Sequence, residues 1–211
     1  MKIQIALDDL SLNDAVNLMK KTGGCVDIIE VGTPMIMQYG MSAVRRIKQE
    51  FPDKQILADM KIMDAGYYEA EIALKAGADY VTVLGTTDDL TIKGCVEAAS
   101  KYHGKTVVDM ICVRGSEKRI RQVEMLGADY VSVHVGLDEQ AAGMTPLDQL
   151  AVMMRTAQKA QVSVAGGISL KTLPDYISLK PSVIIIGAGI THAENVVETA
   201  EAFSRAVHSA C

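Results

Sequence analysis

Short apolar runs recur along the chain at intervals of about 20–30 residues. They occupy residues 3–7, 26–31, 55–59, 80–84, 106–111, 130–135, 162–165 and 183–186. Each is short enough to be a strand and rich in Val and Ile, which suit a pleated, two-sided buried surface. Between them lie segments with helical spacing of apolar residues, at 12–20, 41–51, 67–76, 90–102, 117–126, 146–159, 170–177 and 193–208. In the first of these, Ser11 precedes Leu12 as a cap, and Ala15, Val16, Leu18 and Met19 supply an apolar stripe. The phrases Ala76-Gly77-Ala78-Asp79-Tyr80-Val81 and Gly127-Ala128-Asp129-Tyr130-Val131 repeat one pattern: a helix stopped by Gly, a short turn, and entry into a strand.

Strands alternating with helices predict a parallel sheet. Eight such units predict an α/β fold of the (β/α)8, or TIM, barrel type. The rival, an open doubly wound sheet, more often has five or six strands. A barrel of this kind needs roughly 200–250 residues, so 211 residues make a compact one. No linker or composition shift marks a boundary, so residues 1–211 read as a single domain.

Composition adds limits. Hydrophobic residues make up 49% of the chain, with no Trp and two Phe, so the core is mainly aliphatic. The net charge of −5, without a basic run or an aromatic stacking pattern, argues against nucleic acid as a partner. No apolar run reaches the ~18 residues of a membrane span, and the first residues enter a strand without a leader-like apolar segment. The expectation is a cytoplasmic protein with no membrane partner. Cys25, Cys95 and Cys112 read as small, buried, reduced hydrophobes and Cys211 as exposed, since no spacing among the four suggests a zinc site or redox pair.

The sharpest chemistry lies in Asp59-Met60-Lys61-Ile62-Met63-Asp64, which follows the apolar Ile56-Leu57-Ala58. On a strand, Asp59 and Lys61 share a face, and Asp64 follows in the loop. Barrel active sites form at the C-terminal ends of the strands. Reading those ends gives Asp8, Glu30, Asp59, Lys61, Asp109 and His134, then Ala165-Gly166-Gly167-Ile168 and Gly187-Ala188-Gly189-Ile190. Any one of these alone has an ordinary explanation as a cap, a core histidine or a tight turn. Their convergence on one end is what points to a site. The two glycine loops suit an anion approached by backbone amides.

The Asp59, Lys61, Asp64 signature resembles that of the orotidine-monophosphate-decarboxylase suprafamily. The resemblance extends through Gln4–Asp8, Val26–Pro34, Leu57–Ala65, Tyr80–Gly85, Val108–Ile111, Val133–Gly136, Gln140–Gly143 and Val164–Ile168, almost the full length. Within that group the hexulose-phosphate synthase branch is most similar, with the 3-keto-L-gulonate-6-phosphate decarboxylase branch next. The decarboxylases typically carry Glu where Asp109 stands, Arg where Leu137 stands, and Arg where Ala188 stands. All three departures favour the synthase branch.

The resemblance implies an aldolase-type lyase that condenses formaldehyde with D-ribulose 5-phosphate through an enediolate stabilised by Mg²⁺, with Mn²⁺ as the alternative ion. Glu30 and Asp59 are the implied metal ligands. Lys61 would stabilise the enediolate between Asp59 and Asp64, and His134 would act as acid and base. Asp109 either orients His134 or meets substrate hydroxyls. Asp8 would bind a hydroxyl, and Asp138 reads as a loop or helix-entry residue. Phosphate would lie on Ala165, Gly166, Gly167, Gly187, Ala188 and Gly189, with backbone amides doing more where Ala188 replaces Arg. The resemblance further implies an obligate homodimer in which Asp64 enters the partner's site. Most of Met35, Met37, Met41, Met60 and Met63 read as core, though they flank loops suited to such an interface. Two other readings stay open: the keto-gulonate-phosphate decarboxylase, and a non-catalytic sugar-phosphate-binding barrel.

Overall fold

The computed structural model describes residues 1–210; Cys211 lies outside the described residues. The strands are β1 (Lys2–Leu7), β2 (Ile28–Val31), β3 (Gln55–Ile62), β4 (Tyr80–Leu84), β5 (Lys105–Asp109), β6 (Tyr130–His134), β7 (Gln161–Ala165) and β8 (Val183–Ile186). They are parallel, pair in chain order, and close when β8 joins β1 through Lys2↔Val183 to Ile5↔Ile186. This is the expected (β/α)8 barrel.

Each interval holds at least one helix, among them Leu12–Thr22, Met41–Glu50, Gly66–Lys75, Asp89–Lys101, Ser116–Met125, Leu147–Thr156, Leu173–Ser178 and Val196–His208. Ser11 caps the first by accepting from the Asp14 amide, as its position suggests. Three short helices were not expected: Thr33–Tyr39, Leu137–Ala141 and Ala188–Thr191. They follow β2, β6 and β8 and build part of the open end. At four to seven residues they are too short to show helical periodicity.

The repeated Ala-Asp-Tyr phrase has a structural meaning beyond a turn. Asp79 Oδ2 accepts the Ile56 amide at 2.7 Å, and Asp129 Oδ2 accepts the Thr106 amide at 2.8 Å. Asp27, just before β2, does the same for the Ile3 amide at 2.8 Å. Each carboxylate precedes an even-numbered strand and clasps the start of the odd-numbered strand before it. Ser182 occupies the corresponding place before β8, where its amide donates to Val162 O at 2.8 Å.

Inward positions change character along the barrel axis. Ile28, Leu57, Tyr80, Val107, Tyr130 and Val183 form a closed apolar floor, with the two tyrosine rings edge to face at 5.7 Å. Two residues on, the even-numbered strands place Glu30, Thr82 and Ser132 inward. Ala6, Asp59, Asp109 and Ala165 follow on the odd-numbered strands. The small Ala6 and Ala165 leave room that a larger side chain would fill. The main aliphatic core lies outside the sheet, where Ile3, Ile5, Leu7, Ile47, Ile56 and Phe203 are fully buried beneath the helices.

One expectation needs correction. Cys95 is buried, but Cys25 is half-buried and Cys112 is exposed. The run predicted for residues 106–111 stops as a strand at Asp109, and Cys112 turns into the loop beyond it with φ +58°.

The clasps predict unequal costs for carboxylate removal. Asp79→Ala should lower unfolding free energy by about 1–3 kcal/mol, because it leaves the Ile56 amide without its acceptor. Asp53→Ala, at an exposed turn, should change it by less than about 0.5 kcal/mol. Urea denaturation of the two variants checks the difference.

Candidate active site

The cavity at the C-terminal ends of the strands has a volume of about 780 Å³. Its wall brings together Asp8, Glu30, Asp59, Lys61, Asp109, His134, Ala165, Gly166, Gly167, Gly187, Ala188 and Gly189. Of the predicted site residues, Asp64 alone is not on this wall. It is exposed at the rim, where its Oδ1 accepts the Ala65 amide at 2.7 Å.

The centre of the site is an irregularity in β3. Its register with β4 slips between Ala58 and Ile62, and Lys61 takes φ +45°, a left-handed conformation rare for a residue with a long side chain. Strand geometry continues through the charged residues, so β3 is longer than the run predicted for 55–59. Thr82 on β4 holds the kink: its Oγ1 accepts the Lys61 amide at 2.9 Å and donates to Asp59 Oδ1 at 2.8 Å. Thr33 Oγ1 donates to Asp59 Oδ2 at 2.8 Å, and the Lys61 ammonium also pairs with that oxygen.

These contacts decide the charge states. Burial alone would raise the pKa of Asp59, but Lys61 and the Thr33 and Thr82 hydroxyls outweigh it and hold the carboxyl below its ordinary value. Burial would lower the pKa of Lys61; Asp59 and Asp109 instead hold the ammonium firmly charged. The second carboxylate beside Lys61 is Asp109 at 3.7 Å. Within one chain, β5 supplies this second carboxylate, while the loop after β3 carries Asp64 to the rim.

Asp109 Oδ2 also lies 2.8 Å from His134 Nδ1, and its Oδ1 accepts the Ile111 amide at 2.9 Å. This contact fits the first of the two roles open to Asp109, orienting the ring, and its place on the cavity wall is compatible with the second. A carboxylate oxygen accepts, so Nδ1 carries a proton and Nε2 is left for a ligand. Burial disfavours the charged ring, but the bond to Asp109 prevails and raises the His134 pKa above 6.5.

Glu30 is the least compensated group. It is buried, and Gln4 Nε2 donates to its Oε2 at 2.6 Å. Burial, followed by the charges of Asp59 and Asp8, pushes its pKa well above the usual carboxylate range. Asp8 is raised as well, by burial and by Asp59. Among the described residues, no group of three or more His, Cys, Asp or Glu side chains forms a cage for a cation. A magnesium site commonly has only one or two carboxylates, completed by substrate and water. Glu30 and Asp59 fit that donor set: Glu30 has no direct ion-pair partner among the described residues, and Asp59 Oδ1 accepts only from Thr82 and keeps a lone pair.

Across the cavity, glycine is required by close packing. A Cβ on Gly166, at φ +125°, would lie 2.8 Å from Val135 O, and one on Gly189 would lie 2.7 Å from Ile168 O. At Gly32 it would sit 2.1 Å from Asp8 Oδ1, so that glycine makes space for the Asp8 carboxylate. Asp138, within Leu137–Ala141, lines the cavity too. So do Asp9 and His192, whose Oδ2 and Nε2 are 2.6 Å apart. Sequence reading missed Gln4, Thr33, Thr82 and the Asp9–His192 pair. For Gln4 and Thr82, the available signal was a polar residue two places from an inward apolar one.

Residues 1–203 match the family described as orotidine 5'-phosphate decarboxylase / HUMPS. A 3-hexulose-6-phosphate synthase from Bacillus subtilis is 46% identical over 200 residues, covering 95% of each chain. The crystal structure of a 3-hexulose-6-phosphate synthase from Salmonella typhimurium superposes with a TM-score of 0.98 at 47% identity, covering both chains fully. That of a 3-keto-L-gulonate-6-phosphate decarboxylase from Vibrio cholerae gives a TM-score of 0.87 at 28% identity, with 100% of this chain and 98% of that one covered.

The Thr82 clamp makes a prediction independent of turnover. Thr82→Val should destabilise the fold by about 1–3 kcal/mol, since a buried carboxylate oxygen and the Lys61 amide both lose their partner. Thr82→Ser should recover most of that. Denaturant titration of the pair reads both effects.

Proposed function

The chain belongs to the orotidine 5'-phosphate decarboxylase / HUMPS family, and from that footing we propose that it acts as a 3-hexulose-6-phosphate synthase, joining formaldehyde to D-ribulose 5-phosphate. The observation that carries the reading is the linked set Lys61, Asp59, Asp109 and His134 on one side of a cavity whose other side is a glycine cradle. The nearness of synthases at 46% and 47% identity, against 28% for the decarboxylase, favours condensation over decarboxylation. Leu137 and Ala188, uncharged where the decarboxylases typically carry Arg, favour it too.

The phosphate is held at Gly166, Gly167, Gly187 and Gly189, which leaves the carbonyl end near Lys61 and His134. His134 Nε2 removes a proton from C1 of the ketose, while Asp109 fixes the ring through Nδ1. Negative charge grows on the enediolate oxygens, where the Lys61 ammonium stabilises it. The C1–C2 electron pair then forms a bond to the formaldehyde carbon. The formaldehyde oxygen, now an alkoxide, takes back the proton carried by His134. Glu30 and Asp59 would hold Mg²⁺, or Mn²⁺, which supplies Lewis-acid stabilisation to the same oxygens. Asp8 meets a substrate hydroxyl. Asp64, at the rim, completes a partner's site in a homodimer. The unpaired Cys25, Cys95 and Cys112 suit a reducing cytoplasm.

The deciding assay is formaldehyde consumption with D-ribulose 5-phosphate, in Mg²⁺ and then in excess EDTA. Metal-dependent loss of formaldehyde with hexulose-phosphate formation supports the proposal. No loss, accompanied by CO₂ release from 3-keto-L-gulonate 6-phosphate, would replace it with the decarboxylase reading. Binding of ribulose 5-phosphate without C1 proton exchange would indicate a non-catalytic barrel. Lys61→Ala and Asp59→Ala should each lower turnover by roughly 10²-fold or more.

The raised His134 pKa sets a pH dependence. His134 must be neutral to accept a proton, so activity should fall as pH drops through a value above 6.5. In Asp109→Asn, burial is no longer outweighed, so that acid limb should move to lower pH while kcat also falls. A kcat/KM profile with an unmoved acid limb would show that Asp109 does not govern the ring.

A further inference from the structure

A dianionic phosphate entering this cavity meets a wall crowded with its own sign of charge. Asp8, Asp9, Glu30, Asp59, Asp109 and Asp138 all line it. The basic side chains on that wall are Lys61, His134 and His192. Lys61 is engaged by Asp59 and Asp109, and His134 by Asp109. His192 is different. It immediately follows the short helix Ala188–Thr191, in the same loop as the glycines of the cradle. Its Nε2 is 2.6 Å from Asp9 Oδ2, on the loop after β1. Both side chains of this pair are more than half exposed, and Nδ1 faces no protein partner among the described residues, which leaves it open to a ligand.

We propose that His192 is a phosphate-binding residue, its doubly protonated ring paired with Asp9 through Nε2 and donating from Nδ1 to a phosphate oxygen of the sugar phosphate. As with His134 and Asp109, a carboxylate faces one ring nitrogen, but this pair is more than half exposed where the other is largely buried. It supplies the side-chain charge that the Ala188 position does not. Its loop joins the cradle to the β1 end, so phosphate, His192 and Asp9 would tie the last strand's loop to the first. This deepens the synthase reading and rests on it for the identity of the ligand.

The test has two arms. In the first, 1H–15N ring spectra of His192 are followed as inorganic phosphate is added to the whole protein. The His192 signals should shift with saturation, and Asp9→Asn should weaken that binding several-fold. In the second, kinetics with D-ribulose 5-phosphate should show His192→Ala raising KM by roughly tenfold or more, with the loss falling on KM rather than kcat. His192→Arg should restore much of it, and the difference from the parent should vanish with unphosphorylated D-ribulose. Unmoved ring signals together with an unchanged KM in His192→Ala would overturn the assignment. A protein whose His192 responds to phosphate but which consumes no formaldehyde would instead overturn the proposed reaction and leave this site standing.

Discussion

A carboxylate taken out of water is tolerated when its oxygens find donors and its charge finds a partner. Asp59 meets both conditions through Thr33, Thr82 and Lys61, and much of the open end follows from that. Thr82 can serve Asp59 only because β3 is kinked, and the kink is held because Thr82 also takes the Lys61 amide. Lys61, drawn inward, lies within reach of Asp109, which in turn orients His134. The unusual backbone at Lys61 belongs to this arrangement: its conformational cost, of order 1–3 kcal/mol, is offset by hydrogen bonds that a regular strand would not make.

The neighbouring carboxylates show the other side of that balance. Glu30 has one side-chain donor, Gln4, and two negative neighbours, and its affinity for a proton rises accordingly. A cation bound beside such a group would act in the opposite direction and lower its affinity for a proton. The two acidic positions therefore have unequal parts. The surroundings of Asp59 favour its ionised form, whereas those of Glu30 favour the protonated one.

Much of this was legible in the order of residues. The spacing of apolar runs predicted eight strands, and the run at 183–186 coincides with β8. Asp59, Lys61, Asp109 and His134 could be placed together because strand ends converge in a barrel. What escaped notice depends on partners distant in sequence. The clasps made by Asp27, Asp79 and Asp129 reach back 24, 23 and 23 residues, so the repeated phrase looked like a local turn. Thr82 and Gln4, uncharged and set within apolar runs, resembled the solvent side of a strand. In a barrel wrapped by helices neither face of a strand meets bulk water, and a polar residue there must find a partner indoors. Asp64 was readable as a motif member, and its exposed place in the loop leaving β3 fits the resemblance, which assigns it to a partner's site and not to its own.

The sealed floor beneath the site has a consequence for traffic. Ile28, Tyr80, Tyr130 and Val183 close the barrel below the polar layers, so the cavity has its mouth at one end. Anything small that reacts deep inside must share that doorway with the larger molecule it reacts with. Under the proposed reaction, a sugar phosphate anchored by its phosphate at the rim would narrow the entrance to its own partner. Under that reaction the order of arrival would follow from the architecture: a compact aldehyde could pass a seated ketose, whereas the longer product would have to release its phosphate before the vestibule cleared for the next cycle.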